Sequence, residues 1–368
     1  MRQKLPDFPW DALAPFGAIA RNHPEGVIDL SVGTPVDATP EFIQQTLQEF
    51  SNSPGYPLTA GTSQLRSAIN QWARKTLGAT GDFGVLPIIG SKEFVAWLPS
   101  LIETKQVLYP KIAYPTYLVG ALLAQAQATA VDIDASTWPI AELAWINSPA
   151  NPTGRVHSES ELAAAINWAK SNDAILVSDE CYLEFGDSKV PTSILKISNG
   201  DNKNILAVFS LSKRSSMAGY RAAFIVGDPD LITRILEVRK HAGMMVPLPI
   251  QAAMVSALSD SDHVAEQRAR YNKRRSLLAP ALQRAGFTIE YSEAGLYIWA
   301  TRQESAWESV QWLAELGILA TPGIFYGEAG QSHIRIALTA TDEQIATAVE
   351  RISAQVGRDV VNQDEKDR

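Results

Sequence analysis

The sequence predicts an α/β fold in which helices cover both faces of a mainly parallel, seven-stranded sheet, with a smaller α+β domain beside it. Three observations lead to this prediction. Short apolar runs alternate with helical stretches through the middle of the chain, which is typical of a parallel sheet between helices. The runs lack a strict polar alternation, as expected for strands that are buried on both faces. Near Asp260 the pattern changes to a long charged helix followed by short strands and helices.

Each predicted strand is a short apolar run bounded by polar or turn-forming residues. The seven runs cover residues 85–89, 106–109, 129–133, 143–147, 174–178, 205–209 and 222–226. The helices that the pattern predicts in this region cover residues 40–50, 63–77 and 158–170. Ser63 and Gly78 fit the start and the end of the second of these helices. Ser158 and Glu161 fit a capping box at the start of the third.

At 368 residues the chain is longer than an ordinary domain, so we expect one large and one smaller domain. The large domain is predicted to span residues 40–262, and the small domain to combine residues 1–39 with residues 263–368. The elements predicted for the C-terminal part are strands at 287–291, 296–300, 318–320 and 334–338 and helices at 263–285, 307–315 and from 342. The sequence alone leaves open how the Pro-rich N-terminal segment packs onto them.

Composition and charge exclude several classes of partner. Hydrophobic residues make up 46% of the chain and charged residues 20%, which is typical of a globular protein. The net charge of −8 disfavours nucleic acid or an anionic membrane as a partner. No apolar run reaches the roughly 20 residues of a membrane span, and Cys181 has no second cysteine to pair with. We therefore expect a cytoplasmic protein that binds neither nucleic acid nor membranes, and no metal ion, because the histidines lack metal-ligand spacing.

The most informative segment places Lys213 directly after the apolar run 205–209, with Ser210 and Ser212 before it and Arg221 shortly after. A lysine amine in this setting can condense with the aldehyde of pyridoxal phosphate (PLP), while hydroxyls and a guanidinium hold the phosphate. An isolated motif of this kind would more often be a solvated loop. The prediction of a PLP site therefore depends on the segments that accompany it.

Two further strand ends carry groups that a PLP ring requires. Asn151 lies in the turn at 147–154 and can donate to the phenolic oxygen of the cofactor, although such turns are often only structural. Asp179 follows the run 174–178 and can pair with the protonated pyridine nitrogen, or it could merely cap a helix. Tyr182 would share the phenolic oxygen with Asn151.

Two more segments bear charge or phosphate-binding potential. Ser91 and Lys92 follow Gly90 between a strand and a helix, where backbone N–H groups bind phosphate readily. Ser91 could also be a simple N-cap, and Lys92 could add charge at the phosphate or point to the substrate.

Arg335 lies inside the apolar run 334–338, where its charge is costly unless an anion meets it. A substrate α-carboxylate would meet it bidentately, and a structural salt bridge is the alternative.

Together, the Asn151 turn, the Asp179 strand end, the Lys213 segment and Arg335 resemble the motifs of class I/II aminotransferases, of the PLP-dependent fold type I superfamily. The resemblance extends from Gly33 to the last predicted helix. It implies a PLP-dependent transferase fold, with Lys213 as the Schiff-base lysine and as the base and acid of the proton transfer.

The same resemblance implies roles for the remaining candidates. Asp179, Tyr182 and Asn151 would tune the cofactor ring. The phosphate is assigned to Ser91, Lys92, Ser210 and Arg221, the pyridine face to Tyr114, and the substrate α-carboxylate to Arg335, Asn151 and the backbone at Gly33. Tyr56 would reach the phosphate in the other subunit, so the resemblance implies a homodimer with shared active sites. Core packing is the alternative for Tyr114, and an ordinary loop position is the alternative for Tyr56.

At a finer level, residues 90–99, 211–215, 239–247 and 337–342 resemble the actinobacterial-type N-succinyldiaminopimelate aminotransferases. This likeness implies glutamate as amino donor, N-succinyl-2-amino-6-oxopimelate as acceptor and a place in lysine and diaminopimelate biosynthesis. Lys92 departs from the pattern, since many relatives carry a neutral residue there. The cationic candidates for the distal succinyl group are Lys92, Arg214, Arg239 and His241.

Three other functions remain open at this point. Another amino-acid aminotransferase or a PLP-dependent carbon–sulfur β-lyase would share the same core motifs. A PLP-sensing domain of a transcription factor would need a DNA-binding module and a basic patch, and this chain is acidic. A degenerate, structural relative would be expected to lack Lys213 or Asp179, and both are present.

Overall fold

The computed structural model describes residues 5–366, with side chains described to residue 356. Its strands, in chain order, are β1 (Ile28–Asp29), β2 (Gly84–Ile88), β3 (Gln106–Pro110), β4 (Gln127–Val131), β5 (Leu143–Asn147), β6 (Ile175–Asp179), β7 (Ile205–Ser210), β8 (Ala223–Gly227), β9 (Thr288–Glu290), β10 (Tyr297–Thr301), β11 (Ile318–Leu319), β12 (Thr321–Pro322) and β13 (His333–Ala337). Its α-helices are α1 (Ala14–Arg21), α2 (Glu41–Glu49), α3 (Ser63–Trp72), α4 (Ser91–Leu101), α5 (Thr116–Leu123), α6 (Glu159–Ser171), α7 (Ile194–Ile197), α8 (Leu211–Arg214), α9 (Pro229–Ala242), α10 (Leu248–Ser259), α11 (Asp262–Arg284), α12 (Ala306–Glu315) and α13 (Asp342–Lys366).

The larger sheet has seven strands in the order β2-β8-β7-β6-β5-β3-β4. All neighbouring pairs are parallel except those that involve β8, which runs against both β2 and β7. The predicted fold class is thus confirmed. Because the strand order reverses within the sheet, a crevice is expected at the carboxyl ends of the central strands, where ligands of open α/β sheets bind.

Strand β5 shows why these strands are so apolar. All five of its residues are buried. Leu143 and Trp145 pack into the apolar cluster on one face of the sheet, and Ala144 and Ile146 pack into the cluster on the other. Successive side chains of a strand point to opposite faces, so a strand between two helical layers needs apolar residues at every position.

The smaller sheet is antiparallel, with four strands in the order β12-β13-β10-β9. The N-terminal segment joins this part of the chain, because β1 pairs in parallel with β11 and the N–H of Ala337 donates to the carbonyl of Leu30 over 2.8 Å. The sequence had left this packing open. It brings residues 28–33 between the two sheets, next to the carboxyl edge of the larger one.

The seven predicted strands of the larger sheet are confirmed to within two residues at either end. The Ser158–Glu161 capping box is confirmed, with the N–H of Glu161 donating to the Ser158 hydroxyl over 3.2 Å. One helix start was wrong by a residue: Thr62 caps α3, and Ser63 is its first helical residue. None of the helices within residues 5–366 is both long and apolar enough to cross a membrane.

Candidate active site

Three strands of the larger sheet deliver polar side chains to the same edge. Asn147 ends β5, Asp179 ends β6 and Ser210 ends β7. Asn147 lies opposite Asp179 in the parallel register, and Asp179 lies opposite Val208. The groups predicted from separate segments of the sequence are therefore neighbours at the carboxyl edge of the sheet.

Asp179 is buried there, and its carboxylate is held from two sides. Oδ2 accepts a hydrogen bond from the Tyr117 hydroxyl over 2.9 Å, and Oδ1 accepts one from the N–H of Cys181 over 3.2 Å. Burial raises the pKa of this carboxyl. It forms no ion pair within the described part of the chain, so a cationic group placed beside it would stabilise its ionised form.

Lys213 lies on the short helix α8, directly beyond β7. Ser210 caps this helix, since its hydroxyl accepts from the N–H of Ser212 over 3.1 Å and lies 2.9 Å from the Ser212 hydroxyl. The Lys213 ammonium donates to the carbonyl of Gly33, and burial lowers its pKa. A largely buried amine with a lowered pKa is more readily the neutral nucleophile that an aldehyde requires.

Tyr182 lies beside Tyr297. The sequence analysis predicted Tyr182 as a site residue but did not identify Tyr297 as one. The two hydroxyls are 3.3 Å apart. The Tyr297 hydroxyl also packs so closely on Gly33 that a Cβ at that position would overlap it. In the sequence, Tyr297 looks like a core residue, because it is an aromatic residue in an apolar strand. Only the neighbouring Tyr182 hydroxyl in the folded chain shows that its own hydroxyl lies at the site.

Arg335 spans the gap between the two sheets. Its Nη1 donates to Oδ1 of Asn151 over 3.0 Å, and its Nη2 donates to the carbonyl of Ser31 over 2.6 Å. The guanidinium lies 4.1 Å from the ring centre of Tyr297 and 5.0 Å from that of Tyr326. Its buried Nε has no hydrogen-bond partner in the described part of the chain. The alternative of a structural salt bridge finds no support there, because no carboxylate of that part pairs with Arg335.

The predicted phosphate end combines a helix start with an arginine. Gly90, and not Ser91, occupies the N-cap of α4, with a φ of 82°. Arg221 adopts the left-handed conformation, and its Nη1 donates to the carbonyl of Ala218 over 2.7 Å. A Cβ at Gly90 would overlap the Arg221 guanidinium. The glycine thus lets the arginine approach the free N–H groups of α4, a combination that suits a phosphate.

Tyr114 and Lys92 lie close to one another. Burial raises the pKa of the Tyr114 hydroxyl to about 12. The Lys92 ammonium is 6.0 Å from the Tyr114 ring centre and 5.8 Å from the ring centre of Phe8. Within the described part of the chain, the structure gives this ammonium no hydrogen bond and no ion pair.

Two of the cationic residues considered for the distal end of the substrate are unavailable for that role. Arg239 is fully buried and holds Glu93 with two hydrogen bonds of 2.9 and 3.0 Å. Arg214 is buried and pairs with Glu184 over 2.5 Å. Both charges are already neutralised, so neither is free to bind a substrate anion.

Tyr56 lies apart from these groups. It is 97% exposed. Within the described part of the chain, no hydrogen bond or ring contact joins it to the site residues described above.

Tyr117 is a second residue that the sequence analysis missed. It is fully buried, and its ring stacks on Trp145 with ring centres 5.1 Å apart. Tyr117 lies in the first turn of α5 and Tyr114 lies just before that helix, with their ring centres 6.1 Å apart. The spacing of three residues between the two tyrosines is a weak signal that both rings face the same site.

The residues gathered at this edge fit PLP. The buried, cation-free carboxyl of Asp179 matches a pyridinium nitrogen, and the lowered pKa of Lys213 matches Schiff-base chemistry. The cradle of Gly90 and Arg221 matches a phosphate. These three features lie at the carboxyl ends of the strands, where ligands bind to open α/β sheets.

Comparison with known proteins gives a consistent answer. The family described as Aminotransferase class I and II matches residues 25–352. The 4-dedimethylamino-4-oxo-anhydrotetracycline transaminase OxyQ of Streptomyces rimosus is 50% identical, over 95% of this chain and 100% of its own length. A probable aminotransferase of Mycobacterium tuberculosis is also 50% identical, over 95% of this chain and 85% of its own.

Solved structures agree with the sequence relatives. A probable N-succinyldiaminopimelate aminotransferase from Thermus thermophilus superimposes with a TM-score of 0.86, at 25% identity, over 94% of this chain and 100% of its own. The family match covers most of the chain, and the fold agrees with it. The chain belongs to the class I and II aminotransferases, which are PLP-dependent enzymes acting on amino and keto acids.

Proposed function

We propose that this aminotransferase moves an amino group between glutamate and N-succinyl-2-amino-6-oxopimelate, in a two-step ping-pong reaction that serves lysine and diaminopimelate biosynthesis. The observation that carries the substrate proposal is Lys92, an unpaired ammonium between the rings of Phe8 and Tyr114. An exposed cation without a partner, about as close to Tyr114 as to Phe8, favours an acceptor with a second, distal anionic group.

We assign the chemistry to the residues at the strand edge. When bound, PLP supplies an aldehyde that takes up the amino group and a ring that withdraws electrons from the substrate α-carbon. Lys213 holds the aldehyde between turnovers, and its freed Nζ takes the proton from the substrate α-carbon. Asp179 keeps the pyridine nitrogen protonated, while Tyr182 and Asn151 bind the phenolic oxygen.

The residues around Arg335, at the other end of the site, orient the substrate. Arg335 lies between two aromatic rings and is already oriented by Asn151 and Ser31. Its planar fork suits an α-carboxylate, and we assign the backbone N–H of Gly33 to the same carboxylate. With the carboxylate fixed, the α-carbon is presented to Lys213, and water is excluded by the buried rings.

We assign the phosphate to Ser91, Ser210, Arg221 and the N–H groups at the start of α4, with Tyr114 on the pyridine face. Lys92 has two candidate roles here, at the phosphate or at the distal anion of the acceptor. The distance of its ammonium from the Phe8 ring supports the distal role, since Phe8 belongs to the N-terminal segment that packs over the site through Trp10 and Tyr326.

We further propose a cytoplasmic homodimer, with residues 40–262 as the large domain and residues 1–39 with 263–368 as the small one. The almost complete exposure of Tyr56 supports the dimer. An aromatic side chain that is wholly exposed in one subunit is readily explained by burial against a second.

The substrate proposal is tested by half-reactions of the purified holoenzyme. Glutamate should convert the cofactor to its aminated form, and N-succinyl-2-amino-6-oxopimelate should restore the visible absorption band faster than the keto acid without the succinyl group. Release of pyruvate and ammonia from cystathionine without an acceptor would instead favour a β-lyase. A band that glutamate does not change would exclude glutamate as the donor.

Lys92→Gln separates the two roles of that lysine. In the distal role, its KM for the succinylated acceptor rises about tenfold and its KM for pyruvate is unchanged. In the phosphate role, PLP binds more weakly and both KM values are unaffected at saturating PLP. Lys111→Gln is the matched control, because Lys111 is an exposed lysine paired with Asp132.

A second candidate function follows from the sequence relatives. The Streptomyces rimosus transaminase, which is named for 4-dedimethylamino-4-oxo-anhydrotetracycline, shares 50% identity over 95% of this chain. Beside the site, the Trp10 ring packs against the rings of both Phe8 and Phe325. Such a row of aromatic rings offers a surface for stacking of a fused-ring acceptor. The same half-reaction with 4-dedimethylamino-4-oxo-anhydrotetracycline as acceptor decides between the two substrates.

A further inference from the structure

Tyr297 lies where three parts of the candidate site meet. It belongs to β10 of the smaller sheet and is buried. Its hydroxyl is 3.3 Å from the hydroxyl of Tyr182, which comes from the segment after β6 of the larger sheet. The same hydroxyl packs on Gly33, and the guanidinium of Arg335 lies 4.1 Å from the ring centre of Tyr297. One side chain therefore contacts residues assigned to the phenolic oxygen of the cofactor and residues assigned to the substrate carboxylate.

The backbone and the ring of Tyr297 are both fixed by their neighbours. Tyr297 lies opposite Ala337 in the register of β10 and β13, and the N–H of Ala337 donates to the carbonyl of Leu30 over 2.8 Å. The ring meets that of Tyr182 edge-on, at 76° and with ring centres 5.8 Å apart. The contact between the two hydroxyls is therefore held by strand pairing and ring packing.

The direction of this hydroxyl contact follows from the number of hydrogens available. At 3.3 Å either hydroxyl can be the donor. A tyrosine hydroxyl has one hydrogen to donate, and its oxygen can also accept. When Tyr182 donates its hydrogen to the phenolic oxygen of PLP, it can only accept from Tyr297. Tyr297 is then the donor, and its hydrogen bond favours the orientation in which the Tyr182 O–H points to the cofactor.

Two linked hydroxyls make a stronger donor than one. A hydroxyl that accepts a hydrogen bond is polarised by it, and its own hydrogen becomes a better donor. The side chains of Tyr182 and Tyr297 are both buried, which strengthens the effect because water does not compete for the bond. Burial also raises the pKa of the Tyr182 hydroxyl well above its ordinary 10.0, so this group keeps its hydrogen.

We propose that Tyr297 is a positioning residue for Tyr182: its hydroxyl donates to the Tyr182 hydroxyl, which in turn donates to the phenolic oxygen of PLP. The proposal rests on the proposed role of Tyr182. It gives Tyr297 two functions that can be separated, because the hydroxyl acts on the cofactor through Tyr182 and the ring orients Arg335 for the substrate.

Tyr297→Phe removes the hydroxyl and keeps the ring beside Arg335. One readout is the visible absorption of the bound cofactor as a function of pH, which needs no turnover. Its midpoint should move in the same direction as in Tyr182→Phe, and by less. The other readout is the glutamate half-reaction. Its limiting rate should fall about fivefold, the effect of one neutral hydrogen bond, while the half-saturating glutamate concentration stays unchanged.

The double variant Tyr182→Phe/Tyr297→Phe tests whether Tyr297 acts through Tyr182. If it does, the second change adds nothing to the first, and the absorption and the rate of the double variant equal those of Tyr182→Phe. Independent, additive effects of the two changes overturn the proposal. Unchanged absorption and an unchanged rate in Tyr297→Phe also overturn it.

Tyr297→Leu tests the function of the ring. Its absorption should match that of Tyr297→Phe, and its half-saturating glutamate concentration should rise about fivefold, because the guanidinium of Arg335 loses a ring. An unchanged concentration would mean that the ring does not orient Arg335. Tyr271→Phe is the matched control, since Tyr271 is fully buried and its hydroxyl has no hydrogen-bond partner among the described residues. It should leave both readouts unchanged.

Tyr182→Phe separates failure of this inference from failure of the proposed function. If Tyr182→Phe leaves the absorption and the rate unchanged, Tyr182 does not bind the phenolic oxygen, and the roles of both tyrosines are wrong. If Tyr182→Phe changes both readouts while Tyr297→Phe changes neither, only the role of Tyr297 is wrong.

Discussion

Arg335 donates a hydrogen bond from Nη1 to Oδ1 of Asn151 over 3.0 Å, although the two residues are 184 positions apart in the sequence. Arg335 belongs to β13 of the smaller sheet, and Asn151 belongs to the turn after β5 of the larger one. The rings of Tyr297 and Tyr326 hold the guanidinium between them. The arginine is therefore oriented before any ligand arrives, which reduces the entropy lost when a carboxylate binds.

We predict that Arg335→Lys raises the KM for the amino donor by roughly 10²-fold, because an ammonium cannot replace the bidentate fork. Steady-state kinetics with glutamate measure the effect. Arg302→Lys is the matched control, since Arg302 also lies between two rings, those of Phe287 and Trp312 at 4.8 and 4.6 Å. A normal KM in Arg335→Lys would assign the substrate carboxylate to another group.

The strands and the charged site residues could be predicted from the sequence for a simple reason. A strand buried on both faces must be apolar, so the polar residue that follows it stands out. Asp179, Lys213 and Arg335 are conspicuous in this way, because each is a charge beside or within an apolar run. The proximity of Asp179 to the helix of Lys213 followed from the parallel register of β6 and β7, whereas Arg335 reaches the site from β13 of the smaller sheet.

Other features depend on contacts that no local pattern records. Tyr117 and Tyr297 are aromatic residues in apolar segments, and their hydroxyl partners are contributed by other elements. Arg239 was considered as a cation for the substrate. Its partner Glu93 lies 146 residues earlier, so nothing near Arg239 in the sequence showed that its charge is already paired. Pairings between distant segments are a property of the packed chain, so spacing along the sequence could not reveal them.

We predict that Lys213→Ala abolishes turnover and that Asp179→Ala slows it by several orders of magnitude. The first change removes the amine that moves the proton, and the second removes the carboxylate that keeps the pyridine nitrogen protonated. Single-turnover measurements with glutamate and circular dichroism of each variant separate lost chemistry from lost folding. Normal transamination by folded Lys213→Ala would refute the assignment of this lysine.

The proposed shared site makes a prediction about mixed subunits. Tyr56→Ala should weaken PLP binding in its own homodimer, and Lys213→Ala should be inactive. A hybrid of the two has one site that combines an intact Lys213 with an intact Tyr56 from the neighbouring subunit, so each hybrid dimer should have about half of the activity of a normal dimer. No gain above the sum of the separate variants would place Tyr56 outside the active site.

Glu180 gives a prediction about stability and pH. It is buried, the N–H of Ile194 donates to its Oε1 over 2.7 Å, and its Oε2 has no partner in the described part of the chain. Burial raises the pKa of this carboxyl from 4.5 to about 7. Between these two values the unfolded chain has lost the proton and the folded chain retains it. The contribution of Glu180 to stability is therefore complete below pH 4.5 and is lost as the pH rises towards 7.

Glu180→Gln keeps the shape of the neutral side chain and cannot ionise. Relative to the unmodified protein, we expect it to gain up to about 3 kcal/mol in free energy of unfolding between acid and mildly alkaline pH. Denaturant unfolding at about pH 5 and about pH 8 measures the change. Glu142→Gln should destabilise the protein equally at both pH values, because hydrogen bonds from the N–H of Lys105 and the Thr104 hydroxyl lower the pKa of Glu142 below its ordinary 4.5, so this carboxyl is ionised at both. A Glu180→Gln effect that is equal at both pH values would mean that the carboxyl is already ionised, and accommodated, in the folded protein.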